Sequence, residues 1–319
     1  MTTHIDLLPL HRLEITVLMD NYSNILLPNT AVMKRRALAD GQGEALEQPL
    51  AGHGLSLLIE TTIDGESHLT LLDFGFPAAG IQHNWRVLGL EQGSVEAAFL
   101  SHGHADHFAG LGAFLEARDD PLPLVAHPDV FRKRALIFPD GHRVGIEQLS
   151  PPETLEASGA QLTLTGEPQQ LAPGLFSSGE IGRVTPFEEG RFPAARIGED
   201  GEWVPDRFRD DQALVAYLEG QGLVVITGCA HAGVINTVKH AQAIAGEEQI
   251  HAVVGGFHLT DASAAVIQAT IDEIEALSPS VIVPMHCTGF EATCAFARQM
   301  AGSFALSSVG TRIVLPAVD

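Results

Sequence analysis

Ser101-His102-Gly103-His104-Ala105-Asp106-His107 sets four ligand-type side chains within six positions. Imidazole and carboxylate are the groups that hold zinc, manganese or iron at neutral pH. On a loop, the His-x-His spacing lets His102 and His104 converge on one ion. Asp106 and His107 can then turn toward a neighbouring ion, and Gly103 with the small Ala105 leaves the backbone free to make that turn. The preceding run Ser94–Leu100 (SVEAAFL) reads as a strand, and Ala109–Ala117 has the apolar spacing of a helix. A loop that ends a strand and opens a helix is where open-sided metal sites are built. That context separates it from a histidine-rich surface loop.

Outward from this loop, apolar runs bounded by Gly, Pro and Asp recur. Leu13–Met19, Gly54–Ile59, Leu69–Leu72 and Leu122–Ala126 read as strands, with Asp64-Gly65 as a hairpin signal between the second and third. The second half repeats the theme. Strands are expected at Ala213–Leu218, Gly222–Ile226, Ala252–Val254 and Val281–Pro284, and helices at Val234–Ala245 and Ala262–Leu277. Such alternation predicts an α/β protein with sheets covered by helices. Residues 34–53 read as a loop. The stretch Ile181–Asp211 is rich in Pro, Gly and charge, too long for an ordinary connection, and is expected to be a flap or a disordered insertion.

The 319 residues allow two average domains or one large one; a single domain spanning 1–319 with a flap at 181–211 is expected. With 18 basic against 40 acidic side chains the formal charge is −22, which argues against a nucleic-acid surface or attachment to anionic lipid. Three cysteines suggest no disulfide framework, and neither a secretory leader nor a long apolar span is evident, so a cytoplasmic protein is expected. Fifteen histidines are the compositional oddity.

The motif His102-x-His104-x-Asp106-His107 resembles the first signature of the metallo-β-lactamase superfamily. The similarity runs from about Leu13 to about Ser307. Within it, His53-Gly54-Leu55-Ser56, Gly228-Cys229-Ala230-His231-Ala232-Gly233, Gly255-Gly256-Phe257-His258-Leu259 and His286-Cys287-Thr288-Gly289 look closest to a branch of dihydropterin ribofuranosyl-aminobenzene phosphate synthase-like hydrolases. Phe74 departs from the family pattern Asp-Thr-Gly at Asp73–Gly75. The resemblance implies a four-layer αββα sandwich with two divalent cations at one edge, zinc ahead of manganese or iron. It makes Asp73 an acceptor behind a ligand imidazole, or else a turn residue.

His286 ends an apolar strand where the superfamily's last ligand sits, so it is assigned to the second ion with Asp106 and His107; a structural histidine is the alternative. Cys229 falls where relatives carry a bridging Asp, and His231 follows two residues later. His231 is preferred as ligand, with the Cys229 thiolate in competition. Relatives place a Gly-His pair where this chain has Gly179-Glu180, making Glu180 a candidate ligand or a solvated carboxylate. His258 is read as a substrate contact. His127, His142, His240 and His251 lack converging partners.

Two close cations lower the pKa of a bridging water and clamp an incoming oxygen. No Gly-x-Ser-x-Gly elbow competes. The expected function is therefore a metallo-hydrolase that uses metal-activated hydroxide, oriented by Asp106 as the catalytic carboxylate. Its partner would be a small, anionic ester, with a phosphoester favoured over a lactone or thioester. A mononuclear iron sulfur dioxygenase and a non-catalytic metal-containing sensor are the rivals. Arg183, Arg191, Arg196, Arg207 and Arg209 lie in the 181–211 stretch, interleaved with acids that include Glu188 and Glu189. Arg183 is the one expected to bind substrate.

Overall fold

In the computed structural model, which describes residues 4–188 and 194–317, the apolar runs pair into sheets. Among the described residues these hold eight, seven and four strands. The eight-stranded sheet orders Ala160–Leu164, Leu122–Ala126, Ala97–Leu100, Glu66–Leu72, Ser56–Ile63, Arg12–Met19, Arg312–Pro316 and Met33–Lys34. The centre of the seven-stranded sheet is Ala213–Leu218, Gly222–Thr227, Ile250–Gly256 and Val281–Met285. Side chains alternate between the faces of a strand, and here both faces are covered. In Gly222–Thr227, Val224 and Ile226 enter a core shared with Ile15, Ile59 and Phe99 of the other sheet. Leu223 and Val225 point the opposite way, onto Ile235, Val238 and Ile271 of the helices Val234–Ala245 and Ala264–Leu277.

A third core lies outside the eight-stranded sheet, where Leu58, Leu71 and Ala98 meet Ile81, Trp85 and Phe114. Helix, sheet, sheet and helix thus stack as the expected four layers. Each fully buried Val, Leu or Ile contributes about 1.5–3 kcal/mol. An exposed pair such as Lys239–Glu273 contributes about 0–1 kcal/mol. The layers are held by their apolar interfaces. Phe74, where the family pattern carries Thr, is spent there, buried edge-on against Phe114.

Register brings the strand ends level. Leu72 pairs in parallel with Phe99, so Asp73 and the 101–107 loop emerge together. Thr227 pairs with Gly255, and Gly256 with Met285, which aligns Cys229, His258 and His286 at the same edge of the other sheet.

The 181–211 stretch, read as a flap or a disordered insertion, contains paired strands in its described part. Ala195–Glu199 and Glu202–Pro205 form a hairpin, and its first strand pairs with Arg134–Ile137, which pairs with Arg143–Gly145. These strands are short, and Glu202–Pro205 and Arg143–Gly145 are largely exposed, so no hydrophobic period announces them. Glu189 and Arg191 lie outside the described residues. No described helix is long and apolar enough to cross a membrane.

Candidate metal centre

His102, His104 and His231 converge: Nε2 of His102 lies 3.0 Å from Nδ1 of His104 and 3.2 Å from Nε2 of His231. The hydrogen bonds behind His102 fix its tautomer. Ser101 Oγ donates to Asp73 Oδ2 at 2.7 Å, so its lone pair accepts from His102 Nδ1–H at 3.0 Å. Burial, reinforced by the neighbouring imidazoles, holds His102 and His231 well below the usual histidine range, and burial brings His104 down to about 3. Neutral His102 therefore turns the Nε2 lone pair inward, toward two further unprotonated rings.

Asp106, His107 and His286 make the second group, with Asp106 Oδ2 3.7 Å from His107 Nε2 and 3.2 Å from His286 Nε2. His107 Nδ1–H donates to Asp73 Oδ2 at 2.6 Å, and His286 Nδ1–H to Asn21 Oδ1 at 3.0 Å. Both rings thus offer Nε2 to the centre. Nε2 of His286 is buried and faces the Asp106 carboxylate. Burial opposes charge on His107, yet Asp73 and Asp106 push it up to about 9. Burial likewise opposes charge on Asp106, but His107 and His286 hold it well below the ordinary carboxylate range. The group is built around positive charge.

Cys229 is shared. Its Sγ stands 3.1 Å from His107 Nε2, within reach of a set formed with His102 and His107. His231 and Cys229, read from sequence as competitors, thus occupy different places: His231 completes the imidazole group and Cys229 lies beside the mixed one. His258 packs against His231 at 4.1 Å between ring centroids, and its donor atom groups with Cys229 and Cys287. Asp73, Ala230, His258 and His286 all adopt positive φ, between 44° and 57°. Such backbone costs about 1–3 kcal/mol per residue and gathers at functional sites.

Two assignments from sequence need correction. Glu180 joins neither group: its carboxylate accepts from Arg209 at 2.7 Å and pairs with His127 at 3.1 Å. Desolvation opposes charge on it, but Arg209 and His127 together hold it below the usual glutamate range. Arg183 does not face the mouth. Its guanidinium is spent on the carbonyls of His231, Ala232 and Arg207, so it braces the loop that bears His231.

Sequence reasoning missed the residues that hold the loops. Buried Arg134 pairs with Asp206 at 2.8 Å and Asp210 at 2.7 Å. Asp210 accepts from the Gly103 amide, between His102 and His104, and Asp211 accepts from the Ala232 amide, both at 2.8 Å. A side chain on Gly103 would meet Val130 O at 2.5 Å, so glycine is needed for this close approach. Phe208 stacks on His231 at 4.3 Å. The Asp-rich sequence RFRDD gave no spacing that tied it to the histidines. Asn21 and Asp20, which orient His286, were equally silent.

Both groups fit a divalent cation. Three neutral imidazoles suit zinc, and two imidazoles with a carboxylate suit zinc, manganese or iron. The hydrogen bonds behind His102, His107 and His286 are of the kind that orient metal-bound histidines. The groups open into a cavity of about 550 Å³ lined by Asn21, His53, Phe76, Leu136, Ile146 and His258, among others.

The metallo-beta-lactamase superfamily model matches residues 50–286, and the chain belongs to that superfamily. A Methanocaldococcus jannaschii protein named 7,8-dihydropterin-6-methyl-4-(beta-D-ribofuranosyl)-aminobenzene-5'-phosphate synthase is 32% identical over 254 residues, covering 79% of this chain and 86% of the relative. A second protein of that organism, described as uncharacterized, is 31% identical over 248 residues, covering 78% and 88%. Among solved structures, Tm1679, a metal-dependent hydrolase of the beta-lactamase superfamily, aligns with a TM-score of 0.71 at 24% identity over 96% of this chain and 100% of that one. This last likeness is one of fold.

Proposed function

We propose that the protein is a metal-dependent hydrolase of a small ester carrying a single anionic group, a phosphodiester ahead of a lactone or thioester. One observation carries this: two donor groups with inward-facing ligand atoms open side by side into a cavity of substrate size. Membership of the superfamily and a relative named as a synthase support an enzyme. When bound, a pair of divalent cations, zinc ahead of manganese or iron, supplies Lewis acidity and an activated water.

His102, His104 and His231 would hold one cation, and Asp106, His107 and His286 the other, with Cys229 alongside. Asp106, at the cavity wall, orients the attacking water through its carboxylate. Phe76, Leu136 and Ile146 exclude solvent from one side and fit an apolar body. Neither Lys nor Arg is among the described lining residues, while Glu147 and Asp261 are. A second anionic group on the substrate would therefore find no partner, which favours a diester over a monoester. His258 and Asn21 face the same space and would contact the ester oxygens. The open mouth speaks against a closed structural metal site.

The test is metal analysis of the purified protein, then a panel of phosphodiesters, phosphomonoesters, lactones and thioesters. Dihydropterin and ribosyl phosphate compounds belong in the panel because of the relative's name. The expected result is bound divalent metal and metal-dependent turnover of diesters above the rest. A single bound iron with oxygen consumption, or metal with no turnover of any ester, would overturn the reading.

A further inference from the structure

We infer that Cys229, His258 and Cys287 form a further cation position, selective for thiophilic ions, on the wall of the same cavity. One ligand atom from each lies within 4.8 Å of the others, and all three residues line the cavity. Cys287 Sγ sits 3.5 Å from the Cys229 carbonyl. The room for that sulfur is made by glycine: a side chain on Gly256 would stand 2.6 Å from Cys287 Sγ and 2.4 Å from Gly228 O. Positive φ at His258 (44°) and at His286 (51°) turns the two segments toward each other where the strands end.

Two sulfurs and one imidazole are a soft donor set, unlike the nitrogen and oxygen sets beside it. Such a set selects zinc, cadmium or copper(I) over manganese or magnesium. Cys229 also stands 3.1 Å from His107 Nε2, so its sulfur can bridge this position to the mixed group. The inference deepens the proposed two-cation centre: it shares Cys229 with that centre and draws on His258, which the proposed function turns to the ester oxygens.

Cadmium is the probe. Reduced, metal-free protein in a Cys294→Ser background is titrated with Cd²⁺, following the near-ultraviolet cadmium–thiolate absorption and counting bound cadmium by mass spectrometry. Cys287→Ser and His258→Gln should each bind one equivalent fewer than the parent, and Cys287→Ser should lose much of the thiolate band. His102→Ala should also lose an equivalent but keep the band. Parent stoichiometry and absorption in both Cys287→Ser and His258→Gln would overturn the inference. Cadmium binding that disappears in His102→Ala and His107→Ala, with no thiolate band in the parent, would overturn it while leaving the two-cation centre standing. A parent that binds no cadmium would overturn both.

Discussion

The mixed group of Asp106, His107 and His286 and the imidazole group of His102, His104 and His231 differ in what holds them. His107 and His286 are aimed by side chains that follow two strands of the eight-stranded sheet, Asp73 and Asn21, each accepting directly from the ring. In the imidazole group His102 has such a ring bond, to Ser101, but the loops are otherwise gripped by their backbone. Asp210 and Asp211 take the amides of Gly103 and Ala232, and Arg134, from the small third sheet, pairs with Asp210. A ring-level hydrogen bond sets both tautomer and direction, whereas a backbone tether sets only the height of the loop. The mixed group should therefore respond more sharply to loss of its supports.

The largest effects come from the ligands. His102→Ala and His107→Ala should each strip cation from their own group and lower turnover by at least about a hundredfold, the scale for removing a key charge-stabilising group. Far-UV circular dichroism should stay intact, because these side chains add little to the apolar cores. Asp106→Asn, which keeps the shape but loses the anionic donor, should fall equally far. Full metal content and turnover in any of the three would dissolve the contrast altogether.

The contrast itself is measured by Asp73→Asn against Asp210→Asn. Loss of the acceptor behind His107 should weaken cation retention about 10- to 100-fold. Asp210→Asn keeps an acceptor for the Gly103 amide and leaves Arg134 its bond to Asp206, so its effect should stay near tenfold. Competition with a graded series of chelators ranks the two; the reverse order would show that the loop tether matters more than the ring bond.

Arg183→Ala should change KM by the same modest factor for an anionic ester and a neutral analogue, since the guanidinium binds backbone rather than the cavity. A selective rise for the anionic ester would restore Arg183 as a substrate contact. Smallest of all, Glu180→Gln should leave metal content unchanged and cost less than about 1 kcal/mol in urea unfolding, because the Arg209 pair is largely exposed. Metal loss in that variant would return Glu180 to the centre.

The strands Leu122–Ala126 and Ala213–Leu218 and the helix Val234–Ala245 were legible to the residue, because the strands are largely buried apolar runs and the helix buries one face at helical spacing. The helix Phe290–Gln299 and the strand Arg312–Pro316 were not read. That strand belongs to the sheet by lying between Arg12–Met19 and Met33–Lys34, from the opposite end of the chain. The hairpin at 195–205 was hidden for a related cause: its strands are half-exposed and carry Arg and Glu.

By itself the sequence determined the alternation of strands and helices and the clustering of ligand-type side chains in the 101–107 loop, because periodicity and close spacing are local properties of a chain; the αββα layering came from the resemblance its motifs carry. Only the tertiary structure decided the partition of donors. It sent His231 to His102 and His104, set Cys229 beside His107, removed Glu180 to Arg209, and turned Arg183 onto a backbone. Each of those outcomes depends on which strand ends lie level across two packed sheets, and on a buried Arg134–Asp210 pair whose members are far apart in the chain. Spacing along a sequence carries no record of either.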